Sequence, residues 1–253
     1  MTRVYWMEAK CEFLKLLRMR SYSLSTVLFP TMFYCFFALA MGRGHEVSPS
    51  LSAARYLLAT CGAFAVVGAT LFAFGAGVAV ERGLGWLQVK RASPMPLAAY
   101  FAAKAVVSMT FGALVVALLF GLGAAFGDVR MPTVQWLALA GTLICGAIPF
   151  CALGLVIGSF AGPQSAPATV NMIYLPLAFL AGLWMPLEIL PPVVQRIAPF
   201  LPTYHFAQLA LGVLHAPTKG TNMGHVTALA AFTMIFAGIA WLGNLRESEK
   251  MYG

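Results

Sequence analysis

Glu81 and Arg82 stand side by side at the end of a long apolar run and open the segment ERGLGWLQVKRASPMP, Glu81–Pro96. Gly83 and Gly85 loosen the backbone behind them, an amphipathic stretch follows around Trp86–Arg91, and Ser93, Pro94 and Pro96 stop it, proline having no N–H for a helix to use. An acid–base pair followed by Trp86, Lys90 and Arg91 on one short helix suits mechanical work: a lever that a partner can push. A plain connecting loop would use the same residue types. The second segment, Asn171–Leu211, is punctuated by Gly182, Pro186, Pro191, Pro199 and Pro202, with Glu188 as its one acid. The piece after Glu188 is too interrupted for a clean span and reads as a hairpin that re-enters the outer leaflet or caps the bundle. Trp184, Tyr204 and His205 then sit near the outer boundary, where amphipathic rings are favoured.

Other chemistry is missing from the sequence. There is no GxxxxGK[ST] phosphate loop, no HExxH, no CxxC and no GxSxG elbow. His45, His205, His215 and His225 fall in expected loops or span ends and no two are four residues apart, so no metal site is expected. The five cysteines are odd in number and mostly sit in apolar runs, as small buried hydrophobes. The central parts of the apolar runs carry no Asp, Glu, Lys or Arg, the residues on which proton-coupled carriers rely.

The elements that must position these residues follow from composition. The chain is 60% apolar and 9% charged, against about 25% charged for a soluble domain. Most of its surface must face lipid. A span needs about 20 apolar residues to cross a hydrocarbon core of about 30 Å. Six stretches qualify: Leu24–Met41, Tyr56–Val80, Val106–Phe126, Val134–Phe160, Val170–Leu187 and Val226–Gly243. Pro30 should kink the first or end a turn there, and Pro176 should leave the fifth bent or broken. With the amino terminus inside, the cytoplasmic segments hold Arg3, Lys10, Lys15, Arg18, Arg20, Arg82, Lys90, Arg91, Lys104, Arg246 and Lys250, eleven in all. The other side holds five: Arg43, Arg55, Arg130, Arg196 and Lys219. This bias puts both termini in the cytoplasm, and it accounts for the net charge of +8 without nucleic acid. Before the first span, Tyr5, Trp6, Ala9, Phe13, Leu16 and Leu17 share a helical face opposite most of the charges, as in a helix lying on anionic lipid. With acids among its bases, this segment is no cleavable signal peptide. Gly154 and Gly158 form a GxxxG pair suited to close helix packing.

In this order the segments resemble the permease subunits of type-2 ATP-binding-cassette (ABC) transporters. Glu81, Arg82, Gly85, Ser93 and Pro94 match the family's motif between spans two and three. Gly182, Pro186, Leu190, Pro191, Pro199 and Pro202 match its pattern after span five. Gly83, where many members have an acid, and Trp86, where Thr is common, depart from it. The resemblance covers the whole chain. It implies an all-α polytopic protein of the prokaryotic plasma (inner) membrane: one permease domain over 1–253, with an amphipathic helix at 1–23, six spans over 24–244 and a cytoplasmic tail at 245–253. It further implies a non-enzymatic exporter subunit that pairs with a second copy of itself and with two cytoplasmic ATPase subunits, which bind ATP and Mg; this chain holds no cofactor. The ATPase-coupling residues are then Glu81, Arg82, Gly85, Trp86, Lys90, Arg91, Ser93 and Pro94. Spans one and five line the path in this family, so Phe33, Phe37, Phe179 and Trp184 become its wall, suited to amphipathic, drug-like, lipid-linked or polysaccharide cargo. Two other readings stay open, a non-transporting assembly or anchoring protein and an ion-coupled secondary carrier.

Overall fold

The computed structural model describes residues 2–40, 46–48 and 51–252, with backbone alone at 2, 20, 21, 23, 25, 38–40, 46–48, 91 and 244–252. Met41, Arg43 and His45 lie outside the described residues, as do the side chains of Arg20, Arg91, Arg246 and Lys250.

The chain folds as helices in the order α1 (Thr2–Arg18), α2 (Arg20–Ala40), α3 (Ala53–Leu71), α4 (Gly77–Gly83), α5 (Trp86–Ala92), α6 (Leu97–Ala125), α7 (Thr133–Cys145), α8 (Ile148–Phe160), α9 (Ala166–Leu180), α10 (Pro192–Ile197), α11 (Pro202–Val213) and α12 (Asn222–Tyr252). A minimal hairpin, β1 (Glu46–Ser48) with β2 (Leu51–Ser52), precedes α3. Prolines punctuate the helix starts: Pro96 and Pro132 cap α6 and α7, and Pro149, Pro167 and Pro202 sit in the first turns of α8, α9 and α11. A missing N–H costs nothing there, because the first turn has no partner for it.

Among the described residues, four stretches are long and apolar enough to cross a membrane: Ala53–Gly83, Leu97–Ala125, Thr133–Phe160 and Asn222–Gly243. The two remaining apolar helices, Thr26–Phe37 within α2 and Ala166–Leu180, are shorter. The expected fifth span therefore stops early. Gly182, at φ 74°, closes α9 with a paired cap in which Leu183 N–H reaches the Ala178 carbonyl and Gly182 N–H that of Phe179, so the chain cannot continue to Leu187 as helix. Pro30 does not end α2, which runs through it; the Thr31 hydroxyl donates to the Val27 carbonyl at 2.6 Å. The third span begins at Leu97, nine residues before the expected Val106, and so includes Lys104. As far as Tyr252, the expected tail is the helical continuation of α12.

Two stretches are irregular inside. Between α3 and α4, Phe72–Ala76 forms a π turn in which Gly77 N–H reaches back five residues to the Phe72 carbonyl. Between α7 and α8 the helix breaks at Gly146–Ala147, because Pro149 cannot donate to the Cys145 carbonyl. The Phe206 ring of α11 fills that break: a Cβ on Gly146 would lie 2.1 Å from it. The GxxxG pair does join two helices closely, since a Cβ on Gly154 would meet Phe74 at 2.7 Å and one on Gly158 the Phe74 carbonyl at 2.8 Å. The core centres on α3, whose residues are nearly all buried.

Candidate functional site

In the last turn of the Ala53–Gly83 stretch, Glu81 turns into the protein and Arg82 turns away. Glu81 accepts hydrogen bonds from Lys15 of α1, from Tyr100 of α6 and, at 3.1 Å, from Lys104 of α6. Glu12 of α1 completes the group, with one oxygen 2.5 Å from the Lys104 ammonium and the other 2.6 Å from that of Lys15. Lys104 is 1% exposed and Glu12 5%. One turn along, Glu8 accepts from Lys90 of α5, and the Lys90 ammonium sits 4.5 Å from the centre of the Tyr100 ring, a cation–π contact. Among the described residues Glu8, Glu12 and Glu81 thus meet Lys15, Lys90 and Lys104, three negative charges against three positive. Burial alone would lower the pKa of Lys15, but the Glu12 and Glu81 carboxylates outweigh it and hold this ammonium above the usual lysine value. In a low-dielectric site such a group holds only while every member is paired.

Arg82 points the other way. Its guanidinium donates to the carbonyls of Ser159 and, at 2.7 Å, Ala161, at the end of α8, where the last carbonyls have no partner within the helix. The acid–base pair is therefore a fork, one prong in the α1–α6 charge cluster and the other on the end of α8.

Behind the fork, the backbone is shaped by two glycines. Gly85 adopts φ 75° to start α5, a conformation that side chains resist. Gly83 lies against the α8–α9 connection, where a Cβ would come within 2.5 Å of Pro163. Any side chain at this position would have to displace that proline. Gly83→Ala is expected to cost about 1–3 kcal/mol by overpacking; an unchanged thermal midpoint in detergent would show that the loop gives way freely.

α5 is pinned by Leu87, which is buried among Phe74, Val78, Tyr100 and Cys151, and closed by Ser93, whose hydroxyl donates to the Lys90 carbonyl at 2.7 Å. Pro94 follows, exposed. Leu84, Trp86 and Val89 are left bare, at 68%, 54% and 60% exposure. The result is a short helix, tied through Lys90 to Glu8 of α1 and to the Tyr100 ring of α6, with an apolar outer side.

Sequence reasoning brought Glu81, Arg82, Gly85, Trp86, Lys90, Ser93 and Pro94 to one segment; the structure adds Glu8, Glu12, Lys15, Tyr100 and Lys104. It also corrects the amino-terminal helix. Ala9, Phe13 and Leu16 pack on Phe111 of α6 and its neighbours, whereas Trp6 and Leu17 of the same expected face are exposed. The inward stripe contains Glu12, which a lipid-facing wheel does not anticipate. The missed signal was Glu8 and Glu12 one helical turn apart in a basic segment, facing a lysine two turns inside an apolar helix.

The aromatic residues also assemble. Phe33 lies 5.5 Å from Phe37, 6.0 Å from Phe64 and 5.2 Å from Trp184, and Phe179 lies 6.2 Å from Trp184. Phe29 continues the cluster toward an apolar cavity of about 720 Å³ between α2 and α9, backed by α3 and lined by Tyr22, Phe29, Phe72, Asn171 and Tyr174 among others. In the segment after α9, Gly182 also accepts from the Tyr56 hydroxyl at 2.6 Å, the Pro186 carbonyl opens a single 3-10 turn, and the Glu188 carbonyl accepts from Gln195. Pro191 caps α10, the Pro199 carbonyl lies 2.9 Å from His205 Nε2, and Pro202 begins α11. α11 is no surface cap, because Thr203, Tyr204, Phe206, Ala207 and Ala210 are buried against the bundle.

Comparison with known proteins places the chain in a family. The family described as ABC-2 type transporter matches residues 3–215. The "Putative transport permease YvfS" of Bacillus subtilis (strain 168) is 28% identical over 225 residues, which cover 89% of this chain and 90% of the relative.

Proposed function

Because the chain belongs to the ABC-2 type transporter family, and is thus a multi-pass membrane transport component, we propose that it is the permease subunit of an ATP-driven exporter coupled to a separate cytoplasmic ATPase. The observation that carries this reading is α5. Its Trp86 and Val89, with Leu84, form an apolar knob, and Glu8–Lys90 and Leu87 fix the same short helix to the bundle. A knob held this way transmits a push; a slack loop would absorb it. The ATPase binds ATP and Mg, and two ATPase subunits serve two copies of this chain.

Both termini lie in the cytoplasm of a prokaryotic inner membrane in this reading, with 1–253 forming one permease domain. α2 and α9 act as the first and fifth of six spans; α2, at 21 residues, rises about 31 Å and is long enough. The hairpin α10–α11 re-enters from the outer side. The cavity between α2 and α9 and the cluster of Phe33, Phe37, Phe179 and Trp184 above it form the wall of the path. Apolar walls with Asn171 as a polar foothold suit amphipathic or lipid-linked cargo.

The test is affinity capture of the tagged full chain from native membranes in mild detergent with nucleotide, beside a Trp86→Ala/Val89→Ala variant. A stoichiometric ABC-type ATPase is expected with the natural chain and at least about tenfold less with the variant, equivalent to losing ~1.4 kcal/mol or more of docking energy. No ATPase beside a folded natural chain would overturn the reading. Equal capture by both, at equal thermal midpoints, would remove the knob from it.

A further inference from the structure

His205 and His225 are twenty residues apart in sequence, yet their Nδ1 atoms lie 2.9 Å apart, joining α11 to the start of α12. Their tautomers follow from the partners. His205 Nε2 lies 2.9 Å from the Pro199 carbonyl, an acceptor only, so that nitrogen carries the hydrogen. In the neutral ring, His205 Nδ1 is then bare and accepts. His225 Nδ1 must therefore donate, which leaves His225 Nε2 without a hydrogen. That nitrogen is buried, makes no hydrogen bond of good geometry among the described residues, and is closely faced by Gly220, whose φ is 103°: a Cβ there would lie 3.3 Å from it. His225 itself is 4% exposed.

Few charges compete for this pair. Tyr204, with its ring 5.4 Å from His205 and 6.0 Å from His225, is the titratable side chain against both. Glu188 acts on Tyr204, and the Lys219 carbonyl is available to a protonated His225. α3, α7 and α9, which pack on α11, and α8, which packs on α12, carry no carboxylate and, Arg55 apart, no Lys or Arg. Arg55 donates instead to the Arg130 carbonyl. Neither histidine forms an ion pair among the described residues.

We propose that His205 and His225 form a proton-operated clamp between α11 and α12 that tightens with one added proton and opens with two. The first proton goes to His225 Nε2, the one unused acceptor. The Nδ1–H···Nδ1 bond then becomes charge-assisted, which strengthens it. A second proton has only His205 Nδ1 to occupy. Two N–H groups would then face each other at hydrogen-bond distance, both rings charged, and the clamp cannot stay closed. The pair titrates as a unit in two steps. The outcome is a link between the helix after the proline segment and the last span that responds to acidity on the side they face.

The test uses the full chain, labelled with ¹⁵N-histidine, in lipid nanodiscs titrated from neutral to acid. At neutral pH one histidine carrying hydrogen on Nδ1 is expected, the form disfavoured in water, and its signal should vanish in His225→Phe. Thermal midpoints should rise and then fall as pH drops, and this maximum should be absent from both His225→Phe and His205→Phe. Four histidines all hydrogenated on Nε2 would overturn the clamp. So would single-site titration of each ring, or a midpoint that moves with Zn²⁺ or chelator in place of acid, which would mark a metal site. The tautomer signal is read on the natural chain, so a variant that fails to fold leaves the test intact.

Discussion

Replacing Lys104 with methionine is expected to lower stability by about 3–5 kcal/mol, because it leaves Glu12 and Glu81 buried with too little positive charge. That is a large share of the about 5–15 kcal/mol by which a folded domain usually exceeds its unfolded state. The Lys104 ammonium is the one group that touches both acids from inside α6, at 2.5 and 3.1 Å, and it is all but sealed from solvent. The expected result is poor accumulation in membranes and a thermal midpoint in detergent many degrees below the natural chain. The double variant Lys104→Met/Glu12→Met should recover much of the loss, since replacing a whole buried ion pair with apolar groups is often nearly neutral. A single variant that melts like the natural chain would show that apolar contacts such as Phe13 on Phe111 hold α1 in place unaided.

Reversing one charge at the other end of the cluster should uncouple the protein without unfolding it. Glu8→Lys places a second ammonium beside Lys90 and severs the tie between α1 and α5. Both side chains lie at the rim of the cluster, 17% and 20% exposed, so stability should fall by less than it does in Lys104→Met, whose ammonium is sealed from solvent. Transport-coupled ATP hydrolysis in reconstituted vesicles should fall at least about tenfold, a barrier change of ~1.4 kcal/mol, while the ATPase is still captured. Glu8→Lys with Lys90→Glu restores the pair in reverse and should regain most of the activity. If the single variant couples normally, α1 is no part of the lever. If the double variant stays inactive with a normal melt, the sign of each charge matters to the ATPase surface itself.

Much of this was readable from the sequence. Apolar run length located the four stretches of spanning length, and the glycine–proline punctuation located α5 and the segment after α9. What escaped depended on neighbours distant in the chain. Lys104 reads as an orientation charge until Glu12, 92 residues earlier, is seen beside it. Arg82 reads as a loop cation until it meets the end of α8, 77 and 79 residues on. The histidines lack helical spacing because their meeting is made by two helices. The fifth span ran long because apolarity continues past Leu180 while Gly182 turns the backbone, and hydropathy does not register a dihedral angle. The inward face of α1 was misassigned because a helical wheel sorts residues by polarity, and here buried polar groups find partners.

The π turn at Phe72–Ala76 sets the rotational phase of everything that follows it in the second span. An ordinary α-helix advances about 100° per residue, and a π turn absorbs one residue of that advance. Were the turn to tighten to the regular pitch with no residue lost, α4 would swivel by about 100° on its axis. Glu81 would leave Lys104 and Arg82 would leave the end of α8 together, because both prongs sit on the same rotor. The second span is in this sense two shafts joined by a coupling that stores one residue of angular slack, and the charge cluster is the detent that keeps it from being spent.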